Sequence, residues 1–317
     1  MSVRCWHERL DRYLAQRRAL GYLLARESHQ LRSLADLLEE HAANASFTTA
    51  LALRWARQAP SGSDMAQSRR LQIARGFARF LLVDDPGTEV PPQRLLGPTH
   101  RRVPPRIFTE SEVRALMEAA DQLHPAGSAR GLSMRVLIGL LVATGLRPGE
   151  GVRLSNEDVD TARGLIVVRS GKFGHERVVP LHESTVAALI SYRVACAGLT
   201  IGSECGAFFR RGNGESLEII HADYAFRCLC RTLGFSGAPA GHRWPRLYDL
   251  RHTFVCRRLL AWHEAGESVD VKMPYLAAYL GHQKISSTYW YLSAIPELMN
   301  VVSERFAAFA ARAEKPL

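Results

Sequence analysis

Two arginines and a tyrosine dispersed through the second half of the chain have the chemistry to break a phosphodiester without a metal: Arg147 in ATGLRPGE, Arg251 in LYDLRHTF and Tyr291 in LGHQKISSTYWY. A guanidinium is planar, permanently charged and forked, so a pair of them can clamp the charge that develops on a five-coordinate phosphorus. A tyrosine hydroxyl can serve as the nucleophile. Its free pKa is about 10, so guanidiniums beside it are needed to favour the ionised form. Departure of an alkoxide also needs a proton donor, a task open to lysine, whose pKa can be lowered, and effectively closed to arginine. Of 41 basic residues only Lys172, Lys272, Lys284 and Lys315 are lysines, and Lys172 is alone in the first 271 residues.

Those residues need elements to position them. A chain of 317 residues, 47% hydrophobic and 23% charged, is long enough for about two globular domains. Its net charge of +10 fits a polyanion-binding protein. No run of about 18 apolar residues occurs, and the N-terminal MSVRCWHERLDRYLAQRR carries charges where a signal peptide has its apolar core. A cytoplasmic protein with no membrane partner is therefore expected. The spacing of Cys5, Cys196, Cys205, Cys228, Cys230 and Cys256 fits neither a disulfide framework nor paired zinc ligands, so reduced, mostly buried thiols and no metal site are expected.

Residues 1–85 read as helices only, with apolar residues at helical spacing in LDRYLAQRRALGYLLARESHQLRSLADLLEEHA, ALALRWARQ and SRRLQIARGFARFLLVDD. Through residue 107 there are 17 arginines against ten acids, a net +7, which points the set toward DNA. Residues 86–106 hold six of the fifteen prolines and read as a stiff linker, made basic by Arg101 and Arg102. In 107–317, Thr109 and Glu112 form a capping-box pattern, the buried helix MRVLIGLLVAT stops at Gly145, and Arg147 follows on a tight turn. GLIVVRS and RVVPLH predict a hairpin with Lys172 at its tip, and AFFRR is a further strand candidate. Helices resume at HADYAFRCLCRTL, LYDLRHTFVCRRLLAW, PYLAAYLGH and SSTYWYLSA. The expected fold is mainly α with a small β-sheet or hairpin in the C-terminal domain, α+β there and all-α in the N-terminal domain.

Taken together, TGLRPGE, SGKFGHERVVPLH, LYDLRHTF and LGHQKISSTYWY resemble, in order and spacing, the tyrosine recombinase or phage integrase family from about residue 107 onward. The helical N-terminal domain resembles that family's core-binding domain, the other half of a two-domain DNA clamp. The resemblance implies that Arg147 and Arg251 hold the scissile phosphate, with Glu150 orienting Arg147. It implies attack by Tyr291 to leave a 3′-phosphotyrosyl bond, a phosphate hydrogen bond from His282, and protonation of the leaving 5′-oxygen by Lys172. Where the family's second motif usually has a histidine, three residues before Arg251, this chain has Tyr248, which can donate a hydrogen bond but brings no positive charge. Tyr289 lies about 200° round the helix from Tyr291 and is expected to pack. His252, about 100° from Arg251, is likewise expected to be a packing histidine.

Arg153, Arg177, Arg210, Arg211, His242, Arg243 and Arg246 join Arg101 and Arg102 as candidate DNA contacts. The implied enzyme is a site-specific recombinase or integrase of a mobile element, working without metal or nucleotide cofactor. Its partners would be double-stranded DNA at specific recombination sites and further copies in a homotetramer, with related recombinases as other candidate members. The tail PELMNVVSERFAAFAARAEKPL has the apolar spacing of an amphipathic helix that closes either its own core or a neighbour's. Rival readings are a catalytically weakened DNA-binding accessory protein of the same fold, and a topoisomerase or resolvase with the same chemistry.

Overall fold

The computed structural model describes residues 5–43, 45–99, 105–169, 176–199, 206–235, 244–282, 284 and 286–294. It falls into two compact units, Met1–Arg102 and Val103–Leu317.

The first unit packs four helices, α1 (Trp6–Ala19), α2 (Ala25–Ala42), α3 (Thr49–Arg57) and α4 (Asp64–Leu81). Their apolar stripes bury Trp6, Leu10, Leu34, Leu38, Trp55 and Phe77 in one core. Thr48 and Ser63 cap α3 and α4 by accepting from the Leu51 and Ala66 N–H groups. The longest stretch read at helical spacing, LDRYLAQRRALGYLLARESHQLRSLADLLEEHA, divides at LGYLL. There Gly21, at φ +84°, ends α1 with paired bonds from Gly21 N–H to Arg18 O and from Tyr22 N–H to Arg17 O. The proline-rich segment follows α4. In its described part it is a strap on the first unit: Thr88 is buried, Val90 and Leu96 pack on the core, and Glu89 N–H donates to Phe47 O at 2.8 Å. Proline blocks pairing of the segment with itself, and the helical unit supplies partners instead.

The second unit contains α5 (Glu110–Asp121), α6 (Ala129–Thr144), α7 (Pro148–Val152), the strands β1 (Val159–Asp160), β2 (Leu165–Val168) and β3 (Arg177–Pro180), then α8 (Glu183–Leu199), α9 (Ile219–Thr232), α10 (Asp249–Glu264), α11 (Val269–Tyr279) and α12 (Ser286–Ala294). Thr109 and Glu112 form the expected capping box on α5. The sheet is antiparallel in the order β1-β2-β3, with Ile166 opposite Val179 and Val168 opposite Arg177. Its alternation sends Ile166, Val168 and Val179 into the core and Val178 to solvent. Helix α6 runs through the middle of the unit and packs on α5, α8 and α10.

Three local readings change. AFFRR forms no strand but isolated bridges, Ser155 with Ala207 and Arg210 with Ser216. Helix α8 had no counterpart in the sequence reading, because its composition is apolar nearly all round and gives no clear stripe. The stretch left between the helices read at LYDLRHTFVCRRLLAW and PYLAAYLGH is mostly helix: α10 runs to Glu264 and α11 already starts at Val269, ahead of Pro274. Among the described residues no helix is long and apolar enough to cross a membrane. The hairpin tip with Lys172, and the tail from residue 295, lie outside the described residues.

Candidate active site

Helix α10 is buried on every side from Asp249 to Cys256, and this places Arg251 in the interior with no exposed surface. Backbone carbonyls hold its guanidinium: Nη1 donates to Gly145 O and Nη2 to Leu280 O, both at 2.7 Å. Its Nε is buried with no hydrogen-bond partner among the described residues. Arg251 is fully buried, so an anion would reach the Nε donor only after a neighbouring group moves. Gly145 makes this arrangement possible. It closes α6 at φ +65°, and a Cβ there would lie 2.3 Å from the Phe254 ring.

Arg147 stands at the N-terminus of α7 and is held in the same way. Nη2 donates to Gly281 O at 2.8 Å and Nη1 to Glu150 Oε1 at 2.7 Å, while Glu150 Oε2 accepts from the Arg147 N–H. Glu150 is 5% exposed. Burial would raise its pKa, but hydrogen bonds and charge from Arg177 and Arg147 outweigh that and hold it down to about 2. It is therefore a fixed negative charge between two guanidiniums. Arg177, expected as a DNA contact, is a correction. It turns inward from β3, donates to both carboxylate oxygens of Glu150 at 3.1 and 2.7 Å, and gives Nε to Tyr279 O at 3.0 Å.

His282 follows α11. Its Nε2 lies 3.0 Å from Arg251 Nη2 and its Nδ1 lies 2.7 Å from Thr288 Oγ1. Arginine can only donate, so Nε2 accepts and Nδ1 carries the proton. Burial, reinforced by Arg251, Arg147 and Arg177, pushes His282 down to about 4, so it is neutral near pH 7. In this arrangement both ring nitrogens are engaged, and a hydrogen bond to phosphate requires exchanging one of them.

Tyr291 projects from α12 into the same region and is 3% exposed, whereas Tyr289 is 38% exposed. The half-turn between them separates the two phenols as helical geometry demands, but Tyr289 is not the packing residue expected. Burial pushes the Tyr291 phenol above its ordinary pKa; Arg251 and Arg147 pull it down without prevailing. The hydroxyl lies 2.8 Å from His252 Nδ1. His252 is thus more than packing. Its ring makes edge contacts with Tyr248 and Trp290 at centroid distances of 5.1 and 5.9 Å.

Side chains from α7, α10, α12 and the turn after α11 therefore meet around one point. Residues 106–297 match the phage integrase family, and over 298 residues, 94% of each chain, the sequence is 33% identical to "Putative integrase/recombinase y4rE" of Sinorhizobium fredii. The chain belongs to the phage integrase family. Members of this family are tyrosine-type DNA strand transferases, enzymes that break and rejoin DNA. The chain is also 29% identical over 255 residues to tyrosine recombinase XerD of Rhizobium meliloti, covering 79% of this chain and 76% of that one. Its fold is similar to that of the Tn1549 transposon integrase solved with transposon right end DNA. The TM-score is 0.66 at 18% identity, over 94% of this chain and 99% of that one.

In this integrase-family site, a cavity of about 880 Å³ opens beside Arg147 and Tyr248. Arg153 and Arg246 line it, as do Arg227 and Arg231, which the sequence reading passed over. Their signal was an i, i+4 spacing on α9. Arg246 also pairs with Asp249 at 2.9 Å. Arg211 pairs with Glu215 and Arg210 donates to Ala207 O, so both are engaged locally. Arg101, Arg102, His242 and Arg243 lie outside the described residues. Among the described residues no group of three or more His, Cys, Asp or Glu could hold a metal ion.

Proposed function

We propose that this chain is a site-specific recombinase that cleaves and rejoins DNA through a 3′-phosphotyrosyl bond on Tyr291, serving integration or excision of a mobile element. The observation that carries this reading is the convergence of Arg147, Arg251, His282 and Tyr291 from separate segments, with both guanidiniums anchored by main-chain carbonyls. Arg147 and Arg251 clamp the scissile phosphate, Glu150 fixes Arg147, and Tyr291 attacks phosphorus. His282 bonds the phosphate once it exchanges a present partner. Lys172 gives its proton to the departing 5′-oxygen. The broken bond's energy stays in the phosphotyrosine, so no nucleotide is consumed.

The helical first unit acts as a core-binding domain, and Arg153, Arg227, Arg231 and Arg246 contact the DNA backbone beside the cleavage point. The working form is a homotetramer on two duplexes in the cytoplasm, associated with the nucleoid. The integrase names of relatives, and the transposon DNA held by the Tn1549 structure, support this direction. The test is incubation with a nicked duplex carrying the ends of the chain's own element. A protein–DNA adduct that resists denaturation is expected from the wild type and absent from Tyr291→Phe. Adduct formation by Tyr291→Phe would remove the assignment.

A second reading, a DNA-binding accessory protein with weakened catalysis, rests on Tyr248 in the place of the family's usual histidine. DNA binding with no cleavage of any nicked substrate would decide for it.

A further inference from the structure

Tyr291 cannot attack as a phenol without giving up a proton, and its surroundings make that proton hard to lose. Burial raises its pKa above the ordinary value of about 10 despite Arg251 and Arg147. An acceptor within hydrogen-bond reach is therefore required. Among the described residues, the charged and titratable groups around the hydroxyl are Arg246 before α10, Tyr248, Arg251, His252 and Cys256 at or on α10, Arg147 at α7, and His282 after α11. The arginines have no acceptor. His282 is committed to Arg251 and Thr288. Tyr248 is another phenol, and the Cys256 thiol is a weak acceptor.

That leaves His252, whose Nδ1 lies 2.8 Å from Tyr291 Oη. Edge contacts from Tyr248 and Trp290 fix the plane of its ring.

We propose that His252 is the general base for Tyr291, taking the phenolic proton on Nδ1 as the tyrosine attacks and returning it on religation. The inference rests on the recombinase reading above. As the Oη–P bond forms, the Oη–H electron pair becomes the nucleophile and the proton passes to neutral imidazole, giving imidazolium. The P–O5′ bond breaks, and the leaving oxygen takes a proton from the acid assigned to Lys172. Religation runs the same transfers backward, so atoms and charge balance over the cycle.

Charge explains the timing. Burial, with Arg246, Arg251 and His282, pushes His252 down to about 3, so near pH 7 it is neutral and Tyr291 keeps its proton. A bound phosphodiester, more negative as it becomes five-coordinate, offsets that positive field and raises the imidazole's proton affinity when it is needed. DNA would thus switch on its own nucleophile.

Two measurements test this. In the DNA-free protein, nitrogen NMR of ¹⁵N-histidine-labelled chain should show His252 protonated on Nε2 with Nδ1 bare. A proton on Nδ1 would reverse the hydrogen bond and overturn the proposal. In single-turnover cleavage of the nicked duplex near pH 7, His252→Ala and His252→Gln should slow adduct formation by roughly 10²–10⁴-fold, with DNA affinity retained. Their rates should climb about tenfold per pH unit toward the phenol pKa, while the wild type stays flat. A sulfur-bridged 5′ leaving group needs no acid, so it should rescue Lys172→Ala but not His252→Gln. Glutamine keeps bulk and a hydrogen bond, so a wild-type rate in His252→Gln removes the base role even if the alanine variant misfolds. No adduct from the wild type would instead remove the underlying recombinase reading.

Discussion

The arginine side and the tyrosine side of the site are built on opposite principles. On the arginine side, charge is permanent and pinned. Arg251 is held by the carbonyls of Gly145 and Leu280, Arg147 by Gly281 and Glu150, and Arg177 braces Glu150 from β3. On the tyrosine side, the titratable groups are held neutral: His252 and His282 are pushed well below their ordinary range, and Tyr291 is pushed above its own. On the proposed mechanism, the difference separates holding a phosphate from moving a proton. Guanidiniums stay charged at any physiological pH, so on that mechanism the phosphate clamp needs no titration, whereas the nucleophile waits for the substrate's charge.

The largest expected break comes on the arginine side. Arg251→Lys keeps a positive charge but cannot span both carbonyls and still offer donors to phosphate. Adduct formation should fall by roughly 10²–10³-fold or more, as for loss of a preorganised transition-state donor. A near wild-type rate would show that the fork is not what matters.

Next comes Glu150→Gln, which strands two guanidiniums beside a neutral amide. Breaking a buried ion pair from one side costs about 3–5 kcal/mol, to be read by urea denaturation. The pH dependence has a definite sign. Glu150 is lowered from 4.5 to about 2 on folding, so the stability it provides is fully present above about 4.5 and drains away as pH falls toward 2. The wild type should lose stability through that window, and Glu150→Gln should show a flatter profile there.

Gly145→Ala probes how far the pocket depends on one backbone turn. A side chain at φ +65° is strained, and its Cβ would collide with Phe254. A loss of about 1–3 kcal/mol in stability is expected, with slower cleavage as Arg251 shifts. Unchanged melting and cleavage would mean that the carbonyl anchor is dispensable.

The smallest effect on DNA handling is assigned to Thr288→Val on the tyrosine side. The Nδ1–H of His282 loses its acceptor, at a cost of about 1–3 kcal/mol in melting stability. DNA affinity should not move, because the arginines carry it. A variant that binds DNA poorly would join the two sides that the comparison separates.

Much of the arginine side was legible in the sequence. Gly145, Arg147 and Glu150 lie within one turn, and the cap, the turn and the ion pair are local. The hairpin was legible for the same reason, since alternation over a few residues fixes it. Contacts that depend on docking were not. Arg177 looks like a surface base until β3 is set against α7. His252 looks like packing until α12, 39 residues later, brings Tyr291 to its ring. The proline-rich strap was missed because proline density reports what a segment cannot pair with, not what will receive it.

The central claim is that Tyr291, buried on the tyrosine side, is the group that reacts with phosphorus. Mass spectrometry of proteolytic peptides from the trapped protein–DNA adduct tests it most directly, because Tyr289 and Tyr291 fall two residues apart and fragment ions separate them. The account predicts the phosphodeoxynucleotide on Tyr291 and an unmodified Tyr289; a modified Tyr289, or an adduct mapped outside α12, would contradict it.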